Sequence, residues 1–162
     1  MDEQFNRECL EEHNRLRALH GCPPLELDVE LAQNAQTHSE KMASKNVMHH
    51  CLSQGHGENL CIREGSQPTH IDGKQATLRW YGEITKFNFG EEKQRMSGNF
   101  SQIVWKDTQR VGFGRTIKDG GCRIYIVAYY APCGNVTGHF TENVPRPLSG
   151  EIYIPTDAEK GW

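Results

Sequence analysis

The apolar positions of the first twenty residues fall at three- and four-residue steps. Phe5, Cys9, Leu10, His13, Leu16 and Leu19 share one face, charged residues fill the gaps, and Gly21 followed by Pro23 and Pro24 ends the run. That spacing predicts an amphipathic helix closed by residues that cannot continue it. Residues 27–46 repeat the period: Asp28 stands where an N-cap belongs, and Leu31, Ala35, His38 and Met42 form the inward face. Between residues 45 and 68 the period is lost among histidines, cysteines and glycines, which reads as a structured loop with one short strand at 58–62. Residues 72–89 predict a third helix with Ala76, Trp80, Ile84 and Phe87 inward, and residues 100–105 a short fourth one.

The period then changes from helical to alternating. Val111, Phe113 and Ile117 alternate with small or polar residues, and "CRIYIVAYYA" is rich in β-branched and aromatic side chains, so two strands joined by "KDGG" predict a β-hairpin. Residues 132–147 are loop-like. Residues 148–162 hold only a brief apolar run and are expected either to dock as an extended segment or to fray. Helices first and antiparallel strands later imply an α+β fold rather than a parallel doubly wound sheet. The 162 residues suit one domain, assigned to 1–147, with 148–162 as a C-terminal extension.

Composition narrows the function classes. With 36% hydrophobic and 24% charged residues and a net charge of -3, the chain is an ordinary globular one. It has no basic stripe, so nucleic acid is not an expected partner. No apolar segment approaches the roughly 18 residues of a membrane span. The opening "MDEQFNREC" is acidic rather than leader-like, residue 2 is Asp2 rather than glycine, and "EKGW" carries no prenylation box. The expected location is therefore intracellular, in the cytoplasm with any membrane association peripheral, or secreted if a leader has been trimmed. The six cysteines form no CxxC pair, and a chain of this size needs no disulfide staples, so free thiols are the favoured reading.

Candidate chemistry lies in polar residues stranded among apolar or glycine-rich neighbours: His50 in "NVMHHC", Glu58 in "GHGENL", Glu83 in "RWYGEI" and Asn99 in "SGNFSQIVW". Taken singly, each also fits a plain role. His50 suits a loop, Glu58 a turn, Glu83 a solvated helix position and Asn99 the N-cap of a short helix. Serine nucleophile elbows, P-loops, dinucleotide fingerprints and HExxH motifs are absent from the sequence. His13 and His20 read as packing residues. A second metal set drawn from His49, His50, His56 and His70 with Cys51 or Cys61 fits no established zinc spacing.

Five segments, "EEHNRLRALHGCPPLELDVELAQNAQTHSEKMA", "GENL", "RWYGEITKFNF", "GNFSQIVWKDTQRVGFG" and "YYAPCGNVTGHFTENV", stand in an order and spacing that resembles the CAP superfamily of cysteine-rich secretory, antigen 5 and pathogenesis-related proteins. Among its branches the chain is most similar to the signal-less Golgi-associated pathogenesis-related and venom-allergen-like one. The resemblance implies a three-layer α-β-α sandwich with a central antiparallel sheet. It also implies a cleft holding a tetrad of two histidines and two glutamates, carried here by His50 (or its neighbour His49), Glu58, Glu83 and Asn99. The secreted branches' cysteine before the "YxPxGN" segment is replaced by Ala128, which removes one expected disulfide partner.

At the fourth tetrad position the family's "GHF" reads "GNF". A neutral amide is a poor zinc ligand and cannot exchange a proton near neutral pH. A lost ligand costs at least the roughly 10- to 100-fold in affinity that a lost supporting contact costs. No cofactor is therefore required, zinc or another divalent cation at His50 would bind weakly, and no residue is assigned a catalytic role. The resemblance implies a non-enzymatic module that binds lipid, sterol or a protein partner through its cleft and a loop containing Cys61, Ile62, Pro68 and His70, with a homodimer as a further expectation. The rival readings are a metal-dependent hydrolase built on the tetrad and a dimeric membrane-associated scaffold.

Overall fold

The computed structural model describes residues 1–50 and 55–162. In chain order its elements are α1 (Glu3–Leu19), β1 (Glu26–Leu27), α2 (Val29–Lys45), β2 (Gly57–Glu64), α3 (Gly73–Tyr81) continued by a 3₁₀ turn (Gly82–Lys86), α4 (Gly98–Val104), β3 (Arg110–Lys118), β4 (Arg123–Ala131) and α5 (Phe140–Asn143). Acidic caps start the three longest helices, at Asp28 as the sequence places it and also at Asp2 and Asp72. Asp2 accepts the Phe5 N–H, Asp28 accepts the Leu31 N–H at 3.0 Å, and Asp72 forms a reciprocal capping box with Gln75.

One sheet in the order β1-β3-β4-β2 divides the molecule into layers. The hairpin β3–β4 and the pair β4–β2 are antiparallel, whereas β1 joins β3 in parallel through Glu26 and Leu27, so the sheet is mixed rather than purely antiparallel. Helix α2 covers one face, where Leu31, Ala35 and Met42 pack on Leu60, Tyr125, Val127 and Tyr129. Against the other face, α1, α3 and α4 enclose the larger core of Phe5, Leu16, Trp80, Phe100, Val111, Phe113 and Ile126. These three layers make an α-β-α sandwich.

The close seat of α2 explains the "GFG" of β3. A Cβ on Gly112 would lie 2.1 Å from the Ala32 backbone nitrogen, and one on Gly114 would lie 2.3 Å from that of Gln36. Only glycine at both positions lets the helix backbone approach the strand. Ile117, expected inward, is exposed near the hairpin tip. The predicted third helix ends at Tyr81 and tightens into the 3₁₀ turn that carries Glu83. The strand expected at 58–62 extends over Gly57–Glu64.

Residues 148–162 dock. The Leu148 N–H donates to the Leu19 carbonyl, and Arg79 donates to the Lys160 and Gly161 carbonyls. The five described cysteines other than Cys51, which lies outside the described residues, carry free thiols.

Candidate functional site

The four positions taken from the sequence fall into two pairs, His50 with Glu58 and Glu83 with Asn99. On the α2 side, one oxygen of Glu58 on β2 meets Nδ1 of His50, and its other oxygen lies 3.1 Å from Nδ1 of His38 on α2. His38 Nδ1 is also 2.5 Å from the Tyr129 hydroxyl of β4, and its Nε2 donates to the His49 carbonyl at 2.8 Å. The His49 ring stacks on His38 with centroids 5.2 Å apart. Of the two adjacent histidines it is therefore His50 whose ring reaches Glu58, while His49 supports His38. His50 itself is exposed, whereas Glu58 and His38 are buried.

The second pair sits beyond the opposite face. Glu83 receives the Asn99 side-chain amide on Oε2 at 2.8 Å, and on Oε1 the backbone N–H groups of Asn99 and Phe100 at 2.9 and 3.3 Å. Asn99 is thus not the N-cap expected from the sequence. Ser97 holds that place without a side-chain cap bond, and the capping oxygens come from Glu83, sixteen residues away. A carboxylate at this end complements the exposed N–H groups and the helix dipole.

The other end of α4 is held by a cation. Arg17 is fully buried, and its guanidinium donates to the carbonyls of Pro23, Ile103, Trp105, Lys106 and Thr108. Two of those carbonyls, Ile103 and Trp105, belong to the end of α4. A helix of this length cannot hold itself together in water, so tertiary anchors at both ends account for its presence. Asn135 adds a third anchor by donating to the Gly98 carbonyl at 2.9 Å and accepting from Ser101 Oγ.

Asn59 ties the two pairs together. Next to Glu58 on β2, it points to the opposite face, as alternate strand residues must. Its amide donates to the Asn99 carbonyl at 3.0 Å and to the Tyr130 hydroxyl at 3.1 Å. Tyr130 in turn donates to His13 Nε2 at 2.8 Å, and His13 Nδ1 donates to the Cys9 carbonyl. Carbonyls only accept, so this chain fixes the tautomer of His13 as Nδ1–H. Burial drives the His13 pKa down to about 3, and keeps the Tyr130 hydroxyl protonated by raising its pKa well above the ordinary value.

Each residue of "GENL" now has a task. A Cβ on Gly57 would fall 2.1 Å from Oε1 of buried Gln102, whose amide bridges Gly134 N and Thr108 Oγ1. Glu58 and Asn59 take the partners described above, and Leu60 enters the core. His38, Asn59 and Arg17 were not singled out from the sequence for this site. Their signal was a polar side chain in an apolar helical stripe or beside a glycine-flanked glutamate.

The proposed ligand loop is corrected in part. Cys61 and Ile62 lie within β2, paired with Ile126 and Tyr125, because the strand continues past Leu60. Pro68 and His70 lie in the exposed connection to α3. Among the described residues, no three histidine, cysteine, aspartate or glutamate side chains are arranged to hold a metal ion. No described helix is long and apolar enough to cross a membrane. A cavity of about 810 Å³ opens beside the end of α4, walled by Pro23, Pro24, Trp105, Pro132 and Val136 with Lys106 at its polar side.

Comparison with known proteins agrees with this architecture. The chain is 39% identical over 150 residues to Golgi-associated plant pathogenesis-related protein 1 of Homo sapiens, covering 89% of this chain and 94% of that protein. It is 32% identical to secreted protein RBT4 of Candida albicans across 90% of this chain, but spans only 42% of that longer protein. Among solved structures, NaASP2 with Zn²⁺ superposes with a TM-score of 0.69 at 23% identity, covering 99% of this chain and 95% of that one. Schistosoma mansoni venom allergen-like protein 4 gives 0.65 at 20% identity, covering 90% and 97%. The model of the cysteine-rich secretory protein family, CAP, matches residues 10–130, and the chain belongs to that family.

Proposed function

We propose that this protein is a non-enzymatic CAP module that binds lipid, sterol or a protein partner through its cleft and surface loops, with its tetrad positions given over to structure. The observation that carries the reading is the commitment of Glu83. Its two oxygens serve the Asn99 amide and the first N–H groups of α4, so the carboxylate acts as a helix anchor. The amide at position 99 has no proton to exchange near neutral pH, which removes a general base from that corner.

The cavity beside α4 supports a binding role. Its walls of proline, tryptophan and valine, with Lys106 and Arg110 as well as Glu26 and Asp107 along the polar side, suit a small amphiphile. Peripheral attachment to a Golgi-type membrane is the accompanying proposal, supported by the name of the 39% identical human relative.

Mass spectrometry of lipids co-purifying with the protein from native extract tests this reading, with Trp105→Ala and Lys106→Glu variants as controls. One or a few lipid species enriched with the wild type and depleted with both variants is the expected result. Hydrolysis of esters by the wild-type protein, abolished in Glu58→Gln, would instead establish the hydrolase.

A further inference from the structure

We propose that the face formed by α1, α3 and the 3₁₀ turn is a peptide-binding surface, and that residues 148–162 are its intramolecular ligand. The segment pairs with no strand and forms no helix, yet it is held at separate anchors. Tyr153 is the first. Its ring stacks on buried Tyr81 with centroids 6.0 Å apart, and the Arg15 guanidinium lies 5.4 Å from its centroid on the other element. The Tyr153 hydroxyl donates to Glu159, whose other oxygen accepts the Thr156 N–H at 3.0 Å, while Thr156 Oγ1 accepts the Glu159 N–H. This reciprocal box pre-shapes residues 153–159 and lowers the entropy lost on docking.

The second anchor is Trp162, 5.3 Å from the Arg79 guanidinium and 4.1 Å from the Lys160 ammonium. Arg79 also takes the Lys160 and Gly161 carbonyls, at 2.7 and 3.3 Å. Gly161 has φ of +77°, a left-handed conformation that favours glycine at this step, and a Cβ there would lie 2.9 Å from the end of the Gln75 side chain. The surface thus holds the Tyr153 ring and, beyond a turn closed by the segment's own Glu159, the Lys160 and Gly161 carbonyls and the Trp162 ring. Ile152 and Ile154, on either side of Tyr153, stay exposed. The docked segment therefore contributes few buried apolar groups, which marks it as the low-stability end of the molecule.

The surface also reaches the Glu83 corner. A Cβ on Gly82 would stand 3.6 Å from the Lys160 side chain, so the segment's Lys160 stem packs on the first residue of the turn that carries Glu83. Glu83 anchors the start of α4, which places the docked segment, the turn and Asn99 in one line of contacts. This inference does not depend on what the cleft binds.

Hydrogen exchange on the full chain tests it. Tyr153→Ala should raise exchange about tenfold in residues 148–162, as expected for loss of one aromatic anchor, and raise it also in 82–87 and 98–101, with the β3–β4 hairpin unchanged. Adding a synthetic peptide of residues 148–162 at about 1 mM, the effective concentration of a short tether, should restore protection at 82–87 in the variant. If Tyr153→Ala weakens the hairpin as well, Trp162→Ala, at an exposed side chain, carries the same measurement. An unchanged segment in both variants, or a released segment whose surface the peptide fails to re-protect, would overturn the proposal.

Discussion

At the scale of single residues, Asn99 and His13 carry opposite lessons. Asn99 gives its side-chain amide to Glu83 and leaves the carboxylate with no unused oxygen, so Asn99→Ala strips one partner from a half-buried charge. The variant should lose about 1–2 kcal/mol in chemical denaturation, and more than Asn99→His, whose ring can still donate. His13 is buried and neutral, its pKa near 3 in the fold against about 6.5 when unfolded. Between those values the unfolded state binds more protons. Stability should therefore fall as pH drops below about 6.5, by up to ~1.4 kcal/mol per unit, and stop falling from this source below about 3. Denaturation midpoints from pH 7.5 to 4 measure that slope, which His13→Gln should flatten. The residue pattern offered Glu58, Glu83 and Asn99 as polar residues in apolar or glycine-rich runs, each with a plain role of its own, and only the resemblance to the CAP superfamily grouped them as one site. The pattern could not show their partners, since Glu83 and Asn99 are sixteen residues apart and His38 meets Glu58 only once α2 lies on the sheet.

At the scale of elements, periodicity disclosed what is regular and missed what is anchored from afar. The helical stripe of α1 and the hairpin β3–β4 are local patterns, and both stand where the apolar spacing places them. The tightening of α3 into a 3₁₀ turn left no mark in that spacing, because Ile84 is buried in either geometry. Nor could α4 be bounded from its own residues, for Glu83 and Arg17 hold its two ends from other elements. The "GFG" of β3 fits the small positions of an alternating strand, and its spacing did not show that it is also the seat of α2. Gly114→Ala would push a Cβ against the Gln36 backbone, which has no room to give, and should cost about 2–3 kcal/mol in thermal or denaturant unfolding. An equal change at exposed Gly90, a left-handed position with open space, should act through backbone strain alone and cost less.

For the whole molecule, the sandwich sets His50 with Glu58 on the α2 side of the sheet and Glu83 with Asn99 on the other, and Asn59, next to Glu58, donates across to the Asn99 carbonyl. The layer order follows from the chain: α2 precedes β2 and covers one face, while α1, α3 and α4 gather on the other. Family membership fixes the architecture, and the partners of Glu58 and Glu83 describe what these carboxylates do in this chain. On the proposed function, these positions serve structure rather than a metal. Thermal unfolding with and without about 100 μM zinc tests it most directly. A ligand that binds only the folded state at micromolar affinity would add about 2.7 kcal/mol under that excess, raising the melting temperature by roughly 5–10 °C. The wild-type melting temperature should move by no more than about 1 °C. A saturable rise of several degrees, abolished in His50→Ala, would contradict this reading.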